Sequence, residues 1–273
     1  MKKPFGIVLF LYLFFFSFQI SAQNCWQSNT AFKAGERIDY VIYYHLAGIW
    51  VRAGEVYFKA DTHKIGGEPY WYFDSYGQTF TKYDWIYRVR DHYQTYTHYE
   101  KLQPSIFRRK VEEGSDYIWE NYDFNYQKRV AFTKRQLEKN AAYEYDTVSI
   151  KNCTYDVLSM IYYARNIDFS KLEVGDKVPI NIFIDNGAYD SYIRFLGRRK
   201  KQIKGLGEVD CIVFSPYLIE GSIFNAGEDM TVYVSDDKNR IPLLIETPIL
   251  VGSIKAVVNK MQGLRHPSKV KIY

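Results

Sequence analysis

The sequence lacks the patterns that most often mark enzymes and metal proteins. It contains no Gly-x-Ser-x-Gly nucleophile elbow, no HExxH pair and no phosphate-binding glycine loop. Its three cysteines and five histidines show none of the spacings that bind zinc. We therefore expect no catalytic residue, no metal and no cofactor, and a function other than catalysis.

Long apolar runs are also scarce, and the main apolar run lies near the N-terminus. Lys2 and Lys3 precede an apolar stretch over residues 5–18, and Ala22 offers a small residue for cleavage. This arrangement is typical of a secretory signal peptide, and the run is too short for a membrane span. We predict that residues 1–22 are removed and that residues 23–273 form one exported domain without a transmembrane segment.

The chain has no large excess of charge of either sign. It carries 36 basic and 31 acidic residues, a net charge of +5. Removing residues 1–22 takes away Lys2 and Lys3 and no acid, which leaves +3. A balance this mild does not indicate a nucleic-acid partner.

Cysteine is rare, but export makes a disulfide chemically possible. Cys211 lies within the apolar run 209–214, which predicts a buried thiol. Cys25 and Cys153 lie just outside the regular elements, and a bridge between them would tie the N-terminal arm to the start of the helix described below. Spacing alone does not fix the connectivity, so Cys25–Cys153 is a candidate pair.

What the sequence has in abundance is aromatic residues, which make up 18% of the chain. Apolar and polar residues alternate with a period near two over residues 36–135 and again over 178–259, and this pattern predicts strands. The string Asp185-Asn-Gly predicts a tight hairpin. Residues 136–150 show neither period, and we interpret them as a connection.

Residues 154–166 form the one segment with a helical period. Val157, Leu158, Ile161 and Ala164 make one apolar stripe, and Met160 and Tyr163 belong to a second stripe beside it. A helix with so little polar surface must be covered on several sides. The predicted fold is therefore mainly β, a strongly curved antiparallel meander, half-barrel or barrel-like, around one buried helix that is capped by Thr154.

A curved sheet with many aromatic residues favours the binding of an apolar or amphipathic ligand in its hollow, such as a lipid or the acyl chain of a lipoprotein. Two alternatives remain open: an envelope protein that holds a protein partner in an assembly, and a carbohydrate-active enzyme with acids from separate strands. The candidate ligand-binding residues are Trp50, Trp71, Tyr72, Phe80, Met160 and Tyr163.

Three strings resemble a family of exported bacterial proteins known only as a domain of unknown function. They are GERIDYVIYYHLAGIWVRAGE at 35–55, CTYDVLSMIYYARNIDFS at 153–170 and SDDKNRIPLLIETPILVGSIKAVV at 235–258. The resemblance implies an antiparallel β architecture and a location in the periplasm or envelope of a Gram-negative bacterium. A weaker similarity to periplasmic lipoprotein carriers implies a curved sheet that holds acyl chains around helices.

Overall fold

The computed structural model describes residues 27–46, 48–220, 226–249 and 251–272. The predicted signal peptide, residues 1–22, lies outside the described residues, as does Cys25. Within the described residues the chain forms one sheet of fifteen strands and one α-helix. The prediction of a mainly β fold around a single helix is therefore confirmed.

The strands and the helix follow one another along the chain with short connections. Their bounds are β1 Glu36–Leu46, β2 Ile49–Ile65, β3 Glu68–Thr79, β4 Arg90–His98, β5 Pro104–Glu113, β6 Asp116–Asn125, β7 Val130–Gln136, β8 Glu144–Ser149, β9 Thr154–Tyr155, α1 Val157–Ala164, β10 Lys177–Ile184, β11 Gly187–Ile203, β12 Gly207–Pro216, β13 Thr231–Ser235, β14 Pro242–Pro248 and β15 Ser253–Gln262.

Two antiparallel meanders meet at the centre of the sheet. The first meander runs outward from β1 to β8, and the second runs from β10 back to β15, which pairs with β1. The short strand β9 pairs in parallel with β10 and forms one edge of the sheet. The sheet is curved, but backbone pairing does not close it over the part of the chain that the structure describes, because β8 and β9 remain edges.

Side chains at one hairpin tip bring the two meanders together where backbone pairing does not. Asp185 and Asn186 form the two-residue turn between β10 and β11, and both have positive φ, as a tight hairpin of this type requires. Asp185 pairs with Arg109 on β5. The Asn186 side chain accepts a hydrogen bond from Thr133 Oγ1 at 2.7 Å and donates one to Asp146 Oδ2 at 2.9 Å. The predicted hairpin is thus confirmed, and its tip contacts the far side of the barrel-like sheet.

Helix α1 is buried between the two meanders and belongs to both of their cores. Leu158 and Tyr162 pack with the aromatic residues of the first meander, and the Tyr162 ring stacks on Phe73 at 3.7 Å between centroids. Tyr163 and Ala164 pack against β10 to β13 of the second meander. The helix therefore supports the sheet from inside.

The helix is shorter than the predicted range of 154–166, and its cap differs. Thr154 and Tyr155 form β9 instead of a first turn, and Asp156 is the N-cap residue. The Asp156 carboxylate accepts hydrogen bonds from the backbone N–H groups of Leu158 and Ser159, at 3.0 and 2.9 Å, and from Thr95 Oγ1 at 2.8 Å. Asp156 takes the cap because Thr154 belongs to strand β9, and its Oδ1 accepts both free helix N–H groups.

A buried ion pair holds the other end of the helix. Arg165, the C-cap residue, donates hydrogen bonds to both carboxylate oxygens of Glu36, at 2.5 and 2.9 Å. It also donates to the backbone oxygen of Asn239 at 3.1 and 3.0 Å. Both side chains are almost fully buried. The contact joins the start of β1, the helix and the β13–β14 connection.

The interpretation of residues 136–150 as a connection was wrong, because Glu144–Ser149 pairs with β7 as strand β8. Strand β8 is an edge strand, and most of its side chains are exposed. Without a buried face there is no alternation for a sequence to show.

The structure separates the described cysteines into two kinds. Cys211 is buried and free, as predicted, and burial raises the pKa of its thiol to about 11. Cys153 is disulfide-bonded. Because Cys25 lies outside the described residues, the Cys25–Cys153 pair stays a prediction.

Replacing Glu36 by Gln is expected to destabilise the protein strongly. The substitution leaves the Arg165 charge buried without its carboxylate, which costs about 3–5 kcal/mol in comparable pairs. Chemical denaturation of the wild type, E36Q, R165M and the double variant measures the free energy of unfolding of each. We expect the double variant to be more stable than E36Q, and equal stability of the wild type and E36Q would contradict this role.

Candidate apolar ligand site

A cavity of about 230 Å³ lies between helix α1 and the sheet around β1 and β12 to β14. The helix contributes Met160, Ile161 and Ala164 to its wall, and the inward side chains of β12 and β13 form the opposite wall. Almost all of its lining atoms are apolar. The remaining lining residues are Ile38, Tyr40, Phe58, Tyr162, Arg165, Phe214, Pro216, Met230, Val232, Val234, Arg240, Pro242 and Ile245.

The alternation of the strands explains why this wall is apolar. Phe214 on β12 and Val232 and Val234 on β13 point to the helix side, while Cys211, Val213 and Tyr233 belong to a separate core on the other face. Both faces of these strands are therefore buried. A strand covered on both faces consists almost entirely of apolar residues, so β12 and β13 contribute only apolar side chains to the cavity wall.

The cavity wall includes two arginines with different partners. Arg165 is neutralised by Glu36. Arg240 donates through Nη1 to the backbone oxygens of Arg165 and Ile167, at 3.2 and 2.7 Å, near the C-terminal end of the helix. No carboxylate of the described residues forms an ion pair with Arg240, and burial lowers the pKa of its guanidinium. The cavity thus combines apolar walls with one cation that lacks a carboxylate.

Two of the six predicted ligand-binding residues come from the helix, and the structure separates them. Met160 lies on the cavity wall. Tyr163 points away from the cavity, and its ring packs against Tyr155 at 4.6 Å between centroids.

The four predicted residues from the first meander do not lie together. Trp71 is buried in the aromatic core beside Phe32, whereas Tyr72 points to the opposite face of the sheet. Trp50 is exposed near the β1–β2 turn, and Phe80 lies under the guanidinium of Arg52. The six residues therefore do not form one site.

Sequence reasoning missed Phe214, Met230 and Arg240 as lining residues. The apolar run around Cys211 indicated a buried strand, but only the pairing order shows that this strand faces the helix. Arg240 follows a polar turn, and nothing in its neighbours on the chain distinguishes it from a solvent-exposed cation.

The structure also brings two acids together, on β4 and β5. The carboxyl groups of Asp91 and Glu113 are in hydrogen-bonding contact, close to Arg109 and Tyr93. Burial and the neighbouring Glu113 raise the pKa of Asp91 to about 8. Glycosidases hold their two carboxyls about 5–9.5 Å apart, so this direct contact lacks their geometry.

The described residues contain neither a metal-binding cluster nor a helix that could span a membrane. No group of three or more His, Cys, Asp or Glu side chains is arranged to hold a metal ion. No described helix has the length and apolar character needed to cross a membrane.

The acid pair predicts a pH-dependent stability. The pKa of aspartate in an unfolded chain is about 3.9, so between about pH 4 and 8 the folded protein binds more protons than the unfolded chain. The free energy of unfolding therefore falls as the pH rises through this window. Asp91→Asn should make the protein more stable than the wild type above pH 8 and close to it at pH 4. Thermal melts at both pH values measure this, and the same difference at both would contradict the raised pKa of Asp91.

The comparisons with known proteins agree with the architecture. No curated protein matches the chain. A solved structure, the beta-barrel-like protein of domain of unknown function DUF1849 from Brucella abortus, matches with a TM-score of 0.55 at 8% sequence identity. The alignment covers 89% of this chain and 100% of that one, and it shows a shared fold. Residues 39–259 match the family described as protein of unknown function (DUF3108), and the chain belongs to that family.

Proposed function

We propose that the protein binds an acyl chain, or a similarly apolar part of an amphipathic ligand, in the cavity beside helix α1. The observation that carries this proposal is the cavity itself, which has about 230 Å³ and apolar walls. Apolar cavities of about 150 Å³ are known to stay dry and to bind a molecule such as benzene. The space beside α1 is larger and is lined by flexible methionines at Met160 and Met230, which adapt to irregular ligands.

The size of the cavity sets the scale of the affinity. Its volume equals that of about eight water molecules at liquid density, so it takes a chain segment of about eight methylene groups. Burying these groups contributes about 6 kcal/mol at about 0.8 kcal/mol each. That figure is an upper limit, because the ligand loses freedom on binding. We expect dissociation constants of tens of micromolar or weaker for single-chain probes.

The cation on the wall favours an amphipathic ligand with an anionic group over a plain hydrocarbon. Arg240 has no carboxylate partner among the described residues, and hydrogen bonds between a guanidinium and a carboxylate or phosphate are among the strongest that proteins make. Asp168 and Asp236 act on Arg240 electrostatically but form no ion pair with it. A ligand with an anionic group near the end of its chain would give Arg240 a directly bonded anion.

We propose that this binding role is not catalytic. We also propose that the protein acts in the periplasm or envelope of a Gram-negative bacterium. Support comes from the signal-like start of the sequence and from the absence of a catalytic motif. The resemblance to periplasmic lipoprotein carriers supports an acyl chain as the ligand. The family description names no activity.

Filling the cavity is expected to weaken binding strongly. Met230→Trp adds bulk on the cavity wall, whereas Met261→Trp adds the same bulk at a half-buried methionine that does not line the cavity. With dodecanoate and its neutral counterpart dodecanol as probes, calorimetry should show binding weakened by about tenfold or more in M230W. The M261W control should bind like the wild type.

Two results would contradict the proposal. One is that delipidated wild-type protein takes up neither probe, and the other is that M230W binds both as well as the wild type does. Because overpacking destabilises cores, the melting temperature of each variant is measured first. If M230W is unfolded, Ile161→Phe fills the cavity from the helix side.

A further inference from the structure

Three connections between consecutive strands lie at the same end of the sheet. Since neighbouring strands are antiparallel, the β1–β2, β3–β4 and β14–β15 connections all lie at the same end of the strands. We call this end of the sheet the loop end. Hydrogen bonds hold two of these connections against the strands on either side of the β1–β2 turn. Tyr44 Oη on β1 donates to the backbone oxygen of Val251 at 2.8 Å, and the Phe80 N–H donates to the backbone oxygen of Ala53 on β2 at 3.0 Å.

The loop end exposes several large apolar side chains. Trp85 is 83% exposed and Val251 62% exposed, and the exposed apolar side chains at this end are Ile49, Trp50, Trp85, Ile86, Tyr87 and Val251. At the opposite end, the connections before β3, β5 and β10 expose one large apolar side chain each, Ile65, Tyr99 and Val174. Soluble proteins seldom gather so many at one place without a partner surface.

The β3–β4 connection is ordered, although its tip is exposed. Asp84 accepts hydrogen bonds from Arg90 and from Thr79 Oγ1, at 2.6 and 2.8 Å. Trp85 Nε1 donates to the backbone oxygen of Lys82 at 3.0 Å, so its polar atom is satisfied while its ring faces solvent. The exposed ring of Trp85 can therefore contact a partner surface without a change in the conformation of this connection.

Cations lie near these apolar tips. Lys82 and Arg52 are exposed, and no carboxylate of the described residues forms an ion pair with either. Lys255 lies over the ring of Trp50 at 4.5 Å from its centroid and also pairs with Glu246 at 2.9 Å, so it is partly neutralised. Protruding Trp, Tyr and Ile side chains among Lys and Arg match the boundary of an anionic bilayer, where aromatic rings sit at headgroup level and cations meet phosphates.

We propose that the loop end docks on the surface of an anionic lipid bilayer, with the tips carrying Trp85, Ile86 and Val251 inserted among the headgroups. This surface is separate from the cavity beside α1, and the proposal does not depend on ligand binding there. A lipid surface fits better than a protein partner because the apolar groups project from separate turns with cations near them, whereas protein interfaces have a continuous core depleted in charge.

The test is flotation of the full mature chain with vesicles of phosphatidylcholine alone or mixed with phosphatidylglycerol. We expect wild-type protein to float with the mixed vesicles and to be released by salt, because screening weakens the attraction of exposed charges. W85S/I86S should lower the bound fraction by about tenfold. The matched control, Ile65→Ser at the opposite end, should bind like the wild type.

Four results would overturn the proposal: no flotation of wild-type protein, equal binding of W85S/I86S, equal loss in I65S, or equal binding to neutral and anionic vesicles. Lys82→Glu changes only an exposed charge and should also reduce binding, so it tests the proposal if W85S/I86S is unfolded. A stable complex with an envelope protein that forms without vesicles and is lost in W85S/I86S would assign the loop end to a protein partner instead.

Discussion

The fold depends on two buried charged groups that hold the ends of one short helix. An isolated helix of eight residues is not stable in water, so α1 exists because its surroundings define both of its ends. Asp156 satisfies the first helix N–H groups and is itself held by Thr95 on β4. Arg165 ties the last turn to Glu36 on β1 and to the β13–β14 connection. The two meanders are assembled around this fixed helix.

The cavity follows from the unequal packing of the two sides of α1. On the side of the first meander, Phe73 stacks on Tyr162 and Phe32 packs edge-on against both, so that side is filled. On the side of β12 to β14 the lining side chains other than Phe214 are mostly aliphatic, and space remains. Pro216 and Met230, at the loop end of β12 and β13, belong to this lining. A ligand space and a proposed membrane-facing surface are thus at neighbouring positions in one sheet.

The sequence predicted the architecture well, because alternation and helical periodicity survive wherever one face is buried. It placed the central helix, the Asp185-Asn186 turn and the buried Cys211 correctly. It failed at β8, which has no buried face, and at the helix cap, where Thr154 and Asp156 are both good capping residues and only the parallel pairing of β9 decides between them. The lining of the cavity could not be predicted from the sequence for a different reason. Met160, Phe214 and Arg240 meet only through the order of strands, and local patterns do not encode that order.

The central claim is that the space beside α1 holds an acyl chain, and its methionines can report on this directly. The chain has four methionines, of which Met160 and Met230 line the cavity and Met261 does not. Methyl-labelled methionine observed by NMR during titration with dodecanoate distinguishes these positions. We expect the methyl signals of Met160 and Met230 to change chemical shift and to show contacts to the acyl protons, and the signal of Met261 to stay unchanged. Unchanged signals at Met160 and Met230, or equal changes at all three, would contradict it.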